Sequence, residues 1–546
     1  MPSRHRGADA LVRAMANAGV RRIFTLSGNH IMPVFDAALD SGITLIHTRH
    51  EAAAVHMADA WGRLTGEPGI ALVTGGPGHA NAVGALYTAA MAESPVVLLS
   101  GHAPTDQLGT GAFQEMRQAD IAAPLTKLAL TSASADAIGR DFAKAMSAAR
   151  AGRCGPVHLS LPTDCLEGET DAANVPPAGA FVSATIALDV AAADAMLERL
   201  RRARRPVILV GPGMMTRKGR ESTAALEDIS QIPVIGMESP RGLADSSLGA
   251  FAPMLAQADC VLLLGKRLDY TLKFGKPPTF DASCEFLQID AEDEEIARTR
   301  RAVGARLSLS ALAQPLAATD TLSRRANGKQ AAKSGWLDEV RGAIAYRPPA
   351  WEAATSSQSG RLHPLQALRP LQALLEAHDD AVLILDGGEF AQWAQACLRA
   401  PNRISNGVAG AIGAGLPFAL AARVAKPDVP VILVMGDGTF GFHPAEIDTA
   451  VRYDLPFLGV VGNDARWNAE YQIQLRDYGP NRLIGCELLP TRYDRVAAAF
   501  GGHGEFVTSA DEMAPAARRA LASGLPACIN VTIEGLAAPS FDGPKI

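Results

Sequence analysis

The chain has 546 residues, 48% of them hydrophobic and 20% charged, and a formal net charge of −6 at pH 7. This composition is ordinary for a globular protein, and the length suggests three or four domains of about 150 residues. The small negative net charge gives no sign of a basic surface that would bind nucleic acid or an anionic membrane. No run approaches the ~20 apolar residues of a membrane span. We therefore expect neither nucleic-acid binding nor membrane insertion.

The cysteines and the first residues predict the cellular compartment. Seven cysteines are scattered along the chain and never form a C-x-x-C pair. This pattern favours small buried side chains in a reducing cytosol over a disulfide framework or a zinc site. The stretch MPSRHRGADALVRAMANAG reads as a basic segment followed by an amphipathic helix, without the apolar core of a signal peptide. We expect a cytoplasmic protein.

Apolar runs alternate with helical patterns along most of the chain. In chain order the runs are RIFTLSG, GIALVTG, PVVLLSG, PVHLSLP, PVILVG, CVLLLG, EFLQID, AVLILD, PVILVMGDG, PFLGVVGND and ACINVTI. Continuous apolar strands separated by helices predict parallel sheets that are covered on both faces. The predicted fold class is α/β.

Two weaker zones divide this pattern into thirds. Residues 168–190 and 316–362 are rich in proline and polar residues and read as linkers. They delimit an N-terminal domain (1–170), a middle domain (188–325) and a C-terminal domain (360–546). Three doubly wound domains would each offer a ligand crevice at the carboxyl ends of their strands.

Two of the predicted strands end in acidic clusters. VILVM is followed by residues 436–439 (GDGT), and FLGVV is followed by Gly462, Asn463 and Asp464. Neighbouring parallel strands end at the same edge of a sheet, so Asp437 and Asp464 should lie close together. The glycines allow a ligand to approach the backbone, and a helix beginning near 442–444 would favour an anion. Read alone, GDG is also a common turn. The pair favours a Mg²⁺–diphosphate site.

The GDG motif and the later Asn-Asp pair resemble the thiamine-diphosphate-binding signature of the acetolactate synthase, pyruvate decarboxylase and benzaldehyde lyase superfamily. The resemblance implies that Asp437, Asp464 and the carbonyl of Arg466 hold Mg²⁺. The family usually has Asn where this chain has Asp464, which is also a competent ligand, and the choice between Asn463 and Asp464 stays open. The likeness covers essentially the whole chain and implies pyrimidine-binding, middle and diphosphate-binding domains in that order.

Glu51 lies in LIHTRHEAAAVHMADAWGR, where it follows a short strand and opens an alanine-rich helix. From position alone it reads as a first-turn acid that stabilises the helix dipole. The spacing of His47, His50 and His56 around it does not repeat H-E-x-x-H, so no histidine metal site is predicted. R-H-E-x-A-A matches the catalytic glutamate of the superfamily. The resemblance implies that Glu51 activates the cofactor at its pyrimidine ring.

Three further glycine-rich segments match the superfamily. VTGGPGHANAVGAL carries a G-P-G-x-x-N element ending at Asn81, which implies a site shared between subunits of a homodimer or homotetramer. NGVAGAIGAGLPFALAA offers Ile412, which alone reads as a core residue; the resemblance implies an apolar support beneath a bent cofactor. The remaining cofactor contacts implied by the resemblance are Gly387, Gly388, Glu389, Gly410, Gly436, Gly438 and Thr439.

Residues that handle the substrate are also implied by resemblance. His30 in TLSGNHIMPVFDA and Gln114 in GTGAFQEMRQAD match positions that handle substrate oxygens in benzaldehyde lyase-like enzymes. A neutral histidine could relay a proton there; read alone, His30 could equally cap the following helix.

The middle domain carries a second resemblance. The run GKRLDYTLKFGKPPTF resembles 2-hydroxyacyl-CoA lyases and oxalyl-CoA decarboxylases, which bind CoA or ADP in this domain. Acetolactate synthases bind FAD there, so ADP, CoA and FAD remain open. Arg267 and Lys273 could meet phosphates or simply be solvated.

The residues and the resemblance together predict an enzyme that acts on a small molecule. The first hypothesis is a thiamine-diphosphate-dependent lyase or carboligase of 2-hydroxy ketones or 2-hydroxyacyl-CoA, working through a C2 carbanion. The second is an acetolactate synthase-like enzyme or 2-oxo acid decarboxylase. A third, non-catalytic hypothesis is a nucleotide-binding regulatory protein, which the presence of Glu51, Asp437 and Asp464 disfavours. The tail CINVTIEGLAAPSFDGPKI could act as a lid.

Overall fold

The computed structural model describes residues 5–326 and 335–541. The chain divides into two compact units. The first contains the chain up to Ala184 together with Leu416–Pro427 and His443–Leu455, and the second contains Thr185–Gly415, Asp428–Phe442 and the chain from Pro456 onward. Two short segments of the C-terminal third thus belong to the N-terminal unit. Among the described residues, no helix has both the length and the apolar character needed to cross a membrane.

The N-terminal third forms one parallel sheet and a small antiparallel pair. Its strands are β1 (His5–Arg6), β2 (Arg22–Thr25), β3 (Thr44–His47), β4 (Gly69–Val73), β5 (Val96–His102), β6 (Ala129–Thr131), β7 (Pro156–Pro162) and β8 (Glu169–Thr170). Its helices are α1 (Gly7–Asn17), α2 (Met32–Ala38), α3 (Glu51–Thr65), α4 (Pro77–Met91), α5 (Gln118–Ala122), α6 (Ile138–Arg150) and α7 (Thr163–Glu167). The parallel strand order is β3-β2-β4-β5-β7-β6, and β1 pairs with β8.

The middle third forms a five-stranded parallel sheet in the order β10-β9-β11-β12-β13. The strands are β9 (Pro206–Val210), β10 (Val234–Gly236), β11 (Cys260–Leu264), β12 (Glu285–Asp290) and β13 (Leu307–Leu312). The helices are α8 (Val190–Arg202), α9 (Arg217–Ser230), α10 (Phe251–Leu255), α11 (Asp293–Val303), α12 (Pro315–Ala326) and α13 (Trp336–Ala345). Val207 and Leu209 pack in one core cluster, and Ile208 and Val210 in another. Both faces of this sheet are therefore covered.

The C-terminal third forms a six-stranded parallel sheet in the order β15-β14-β16-β17-β19-β18. The strands are β14 (Val382–Asp386), β15 (Asn402–Ser405), β16 (Val431–Gly436), β17 (Leu458–Asn463), β18 (His503–Val507) and β19 (Ala527–Thr532). The helices are α14 (Pro364–Glu376), α15 (Gly388–Cys397), α16 (Gly415–Ala425), α17 (Asp437–Phe440), α18 (Glu446–Arg452), α19 (Asn468–Tyr478), α20 (Tyr493–Ala499) and α21 (Ala510–Ala522).

The predicted fold class, α/β with three doubly wound parallel sheets, is confirmed, and each predicted apolar run forms a strand. Among the described residues, seven strands that the pattern did not reveal are β1, β6, β8, β10, β13, β15 and β18, and all seven lie at sheet edges. Edge strands have one neighbour and need no continuous apolar run, so the signal for a buried parallel strand is absent from them.

One local expectation is wrong, and a second holds to within a few residues. The linker predicted over 316–362 contains most of α12 and the whole of α13, while RRANGKQAAKSG lies mostly outside the described residues. The helix expected near 442–444 begins at Glu446, and a separate helical turn begins at Asp437 itself. The three predicted domain boundaries remain predictions.

Candidate active site

The two predicted metal-binding acids follow adjacent strands, as their motifs predicted. In the ladder between β16 and β17, Gly436 is the partner of Gly462, so both strands end at the same edge. Asp437 is 2% exposed and Asp464 is 7% exposed. Ala465 has a φ of +59° and turns the chain between Asp464 and Arg466. The three proposed ligands thus lie at one strand edge and on one tight turn.

The electrostatics of these acids fit a bound cation. Burial raises the pKa of Asp437 to about 6. Burial, followed by the negative charge of Asp437, raises the pKa of Asp464 to about 8. Within the described residues, Oδ2 of Asp437 is buried without a hydrogen-bond partner. A divalent cation would satisfy that oxygen and offset the repulsion between the carboxylates.

The ligand set favours Mg²⁺ over a metal held by side chains alone. Across 5–326 and 335–541, no group of three or more His, Cys, Asp or Glu side chains could hold a metal ion. Mg²⁺ is commonly held by one or two carboxylates and completes its shell with phosphate oxygens and water. Asp437, Asp464 and a backbone carbonyl fit that pattern.

The C-terminal candidate residues surround a cavity of about 280 Å³. Its lining includes every predicted cofactor and metal residue of the second unit: Gly387, Gly388, Glu389, Gly410, Ile412, Gly436, Asp437, Gly438, Thr439, Asp464 and Arg466. The lining also includes residues that were not predicted as contacts: Pro240, Arg241, Phe390, Gln392, Asn406, Gly462, Trp467, Asn468, Ala469 and Glu470. The structure therefore unites residues from four separate sequence motifs in one cavity.

Bare backbone lines part of this cavity. Gly387 has a φ of +54°, and a Cβ added there would lie 2.3 Å from Oγ1 of Thr439 and 3.0 Å from Cγ2 of Ile412. Gly388 has a φ of +74° and lies against Gly436. The positive φ favours glycine at both positions, and close packing also excludes a side chain at Gly387. A ligand can therefore approach the peptide groups directly, as a diphosphate would.

Asp386, which the sequence analysis missed, fixes the turn that carries Ile412. Its buried carboxylate accepts hydrogen bonds from the backbone N–H of Gly413 (3.1 Å) and of Gly415 (2.6 Å). Burial raises the pKa of Asp386 to about 7. Because the acceptor is the last residue of β14, the turn is tied directly to the sheet edge that also bears Gly387.

Replacing Asp386 with Asn should destabilise the second unit. The amide keeps one acceptor oxygen but directs an NH₂ group at backbone donors, which we expect to cost roughly 1–3 kcal/mol of unfolding free energy. Denaturant unfolding followed by circular dichroism measures the change. Asp379→Asn makes the same substitution at an exposed position before β14 and should have little effect. Equal midpoints for both variants would contradict this role for Asp386.

Glu389 has an ionic partner that no motif predicted. Its carboxylate is 6% exposed and pairs with Nη2 of Arg241 at 2.8 Å. Burial raises the pKa of Glu389, while Arg241 opposes the shift. Arg241 also lines a second cavity of about 480 Å³, together with Lys273 and tail residues 538–541. The pair therefore lies where the two cavities share a wall.

In the first unit, the four remaining candidates surround the turn that precedes α4. Nδ2 of Asn81 donates a hydrogen bond of 3.1 Å to Oε2 of Glu51, which is 9% exposed. A Cβ added at Gly78 would lie 3.3 Å from Oε1 of Glu51, and one at Gly76 would lie 2.7 Å from Cβ of Gln114. Nδ1 of His30 lies 3.1 Å from the hydroxyl of Thr74. One turn, 74–78, therefore contacts Glu51, His30 and Gln114.

His30 and Gln114 are held in defined environments. The His30 ring stacks on Phe113 at 5.9 Å, and burial lowers its pKa, so the imidazole is neutral at pH 7. Gln114 has a φ of +57°, a conformation that non-glycine residues adopt at a cost and that concentrates at functional sites. Gln118, which the sequence analysis missed, accepts from the N–H of Gly76 (2.9 Å) and donates to the carbonyl of Gly101 (3.0 Å).

Comparison with known proteins identifies the family. Residues 5–121 match the thiamine pyrophosphate enzyme N-terminal TPP-binding domain, residues 193–314 the central domain, and residues 386–531 the C-terminal TPP-binding domain. The acetolactate synthase large subunit IlvG of Mycobacterium tuberculosis is 34% identical over 98% of this chain and 96% of its own length. The chain belongs to the thiamine pyrophosphate enzyme family. Thiamine pyrophosphate is another name for thiamine diphosphate, so the predicted superfamily is confirmed and the three domains support binding of the predicted cofactor.

Other relatives of this thiamine pyrophosphate enzyme carry a different name. The human 2-hydroxyacyl-CoA lyase 2 is 30% identical over 96% of this chain and 90% of its own length. The 2-hydroxyacyl-CoA lyase of Oryza sativa is 29% identical over 97% and 95%. Both enzyme types anticipated from the sequence therefore occur among full-length relatives.

Proposed function

We propose that this enzyme makes or breaks a carbon–carbon bond beside a carbonyl group, acting on 2-hydroxy ketones or 2-hydroxyacyl-CoA with thiamine diphosphate and Mg²⁺. When bound, the cofactor supplies a nucleophilic carbon that stabilises negative charge next to the carbonyl. The observation that supports the cofactor assignment best is the cavity that joins the glycine cradle, Ile412, Asp437 and Asp464. The relatives named 2-hydroxyacyl-CoA lyase support the substrate class.

In this proposal the cavity residues bind and orient the cofactor. Asp437, Asp464 and the carbonyl of Arg466 would hold Mg²⁺. Gly387, Gly388, Gly436, Gly438 and Thr439 would face the diphosphate, and Gly410 and Glu389 would complete the wall. Ile412 would support the bend between the two rings of the cofactor. Its turn is held in place by the hydrogen bonds from Gly413 and Gly415 to Asp386.

The residues around the turn 74–78 would manage protons. Glu51 would share a proton with a pyrimidine nitrogen, and Asn81 would orient its carboxylate. Neutral His30 would exchange a proton with the substrate hydroxyl, with the Thr74 hydroxyl fixing which ring nitrogen carries the hydrogen. Gln114 would hydrogen-bond a substrate oxygen.

His30→Ala should lower kcat while cofactor binding stays unchanged. The lost proton relay predicts a decrease of about 10²- to 10⁴-fold. Steady-state kinetics gives kcat, and calorimetric titration with thiamine diphosphate and Mg²⁺ serves as the control for the binding site. A variant with near-normal kcat would remove His30 from the mechanism.

A substrate comparison tests the proposed function. Purified enzyme with thiamine diphosphate and Mg²⁺ is offered 2-hydroxy ketones, 2-hydroxyacyl-CoA thioesters and 2-oxo acids in separate reactions, and NMR follows the products. Release of an aldehyde from either of the first two pools supports a lyase. Release of CO₂ from 2-oxo acids alone would reject it in favour of the second candidate, an acetolactate synthase-like enzyme or 2-oxo acid decarboxylase, which the 34% relative favours.

Absence of thiamine diphosphate binding would instead support the non-catalytic hypothesis. We further propose that the enzyme is cytoplasmic and forms a homodimer or homotetramer, with its active sites at the subunit interfaces. Light scattering measures the oligomeric state.

A nucleotide in the middle domain, whether ADP, CoA or FAD, is a separate proposal. Arg267 already pairs with Glu295 at 3.1 Å, so a phosphate contact there requires that ion pair to open. Lys273 is exposed. Mass spectrometry of small molecules released from the denatured protein tests for such a ligand.

A further inference from the structure

The strand that leads to Glu51 lies at the edge of its sheet. In the order β3-β2-β4-β5-β7-β6, β3 has a strand neighbour on one side only. Side chains from the segment 446–453, which belongs to the same compact unit, cover its other side. Tyr453 accepts a hydrogen bond of 2.9 Å from the N–H of His47 and donates one of 3.1 Å to the carbonyl of Leu45. Nη2 of Arg452 donates to the carbonyl of His47 at 2.7 Å.

Glu446 binds the next part of the chain, directly before Glu51. Its carboxylate is 1% exposed and accepts hydrogen bonds from the N–H of Arg49 at 2.9 and 3.2 Å. Burial raises the pKa of Glu446, and the Thr449 hydroxyl and the backbone N–H groups of Arg49 and His50 oppose that shift. The hydroxyl of Thr449 donates to Oε2 at 2.7 Å. A buried carboxylate thus binds the backbone N–H of Arg49, two residues before α3 begins.

These contacts fix the backbone immediately before Glu51, and that backbone sets the orientation of the Glu51 side chain. Glu51 is the first residue of α3, and His50 is the N-cap residue, whose Nδ1 accepts from the N–H of Ala52 at 3.1 Å. Hydrogen bonds to a carboxylate are stronger than those between neutral groups, and a buried donor without a partner is costly. Removing Glu446 therefore leaves the turn before Glu51 without its principal anchor.

We propose that Glu446 is a positioning residue, which holds the turn at Arg49 and His50 so that the Glu51 carboxylate keeps its orientation. The inference rests on the proposed role of Glu51 and assigns no chemical step to Glu446. It also gives a purpose to the segment between the two metal-binding motifs: residues 446–453 cover the open edge of β3, the strand that leads to the proposed acid.

Amide hydrogen exchange on the cofactor-free protein tests the contact directly. In Glu446→Gln the amide oxygen remains as one acceptor, but its NH₂ group faces backbone donors. We expect exchange at Arg49 and His50 to be at least about tenfold faster than in the wild type, and faster again in Glu446→Ala. Exchange in the buried strand β4 should not change, because a general loss of stability would accelerate exchange in both places.

Asp448→Asn is the matched control. Asp448 lies on the same helix and pairs with the side chain of Arg49 at 3.4 Å, not with its backbone. Unchanged exchange at Arg49 and His50 in Glu446→Gln, or an equal increase in Asp448→Asn, would overturn the proposal.

Kinetics of the loaded enzyme then separates positioning from simple folding. Glu446→Gln should lower kcat at least about tenfold, while the Kd for thiamine diphosphate with Mg²⁺ and the substrate KM change less than about threefold. Faster exchange with an unchanged kcat would overturn the proposal. A wild-type protein that binds no thiamine diphosphate would refute the proposed function instead, and the exchange result, obtained without cofactor, would distinguish the two failures.

Discussion

Glu51→Gln should abolish turnover and leave the fold and cofactor binding intact. The amide is nearly the same size as the carboxylate and still accepts from Asn81, but it cannot exchange a proton with a ring nitrogen. A residue that acts in proton transfer contributes about 10²- to 10⁴-fold, so kcat should decrease by at least that factor. Steady-state kinetics with the substrate identified in the comparison above measures it.

The matched control changes the same functional group elsewhere in the first unit. Glu67 follows α3, and its exposed side chain pairs with Arg150. Glu67→Gln should retain normal kcat, and both variants should keep the wild-type unfolding midpoint. Near-normal turnover in Glu51→Gln would disprove the proposed activation by Glu51.

Asp437→Asn should decrease the affinity for thiamine diphosphate in the presence of Mg²⁺ by at least about a hundredfold. The residue is the most buried of the three proposed ligands, and its Oδ2 has no partner among the described residues. The asparagine amide would offer the cation one neutral oxygen in place of a carboxylate. Hard cations such as Mg²⁺ prefer the carboxylate. Isothermal titration calorimetry at fixed Mg²⁺ gives the Kd.

Asp464→Asn provides the contrast, because the superfamily pattern has Asn at this position. Binding should stay within about tenfold of the wild type. If Asp464→Asn binds thiamine diphosphate and Mg²⁺ more weakly than Asp437→Asn does, the assignment of the two ligands is wrong.

The pH dependence of cation binding follows from the same two acids. Metal ligands bind in their deprotonated form. The pKa values of Asp437 and Asp464 are raised to about 6 and about 8, so wild-type affinity should increase as pH rises through that range. Asp464→Asn removes the group with the higher pKa, and its affinity should level off at lower pH.

The sequence predicted the interior of the fold better than its margins. Central strands such as β5 and β16 carry continuous apolar runs because both faces and both edges are covered. Edge strands such as β15 and β18 escaped detection, and α12 and α13 were taken for a linker because their segment is polar and contains proline. In the second unit, each candidate cofactor or metal residue lines one cavity.

What the sequence determined by itself was the chemistry at strand ends. Parallel strands end at a common edge, so Asp437 and Asp464 could be paired from their motifs alone, and the family resemblance supplied Glu51 and His30. Only the tertiary structure revealed the roles of Arg241 and Glu446. Arg241 pairs with Glu389, 148 residues away in the sequence, and Glu446 binds the backbone of Arg49, 397 residues away. The physical reason lies in their partners. Glu446 and Asp386 bind backbone N–H groups, which every residue except proline offers, so no residue pattern marks the contact before the chain folds.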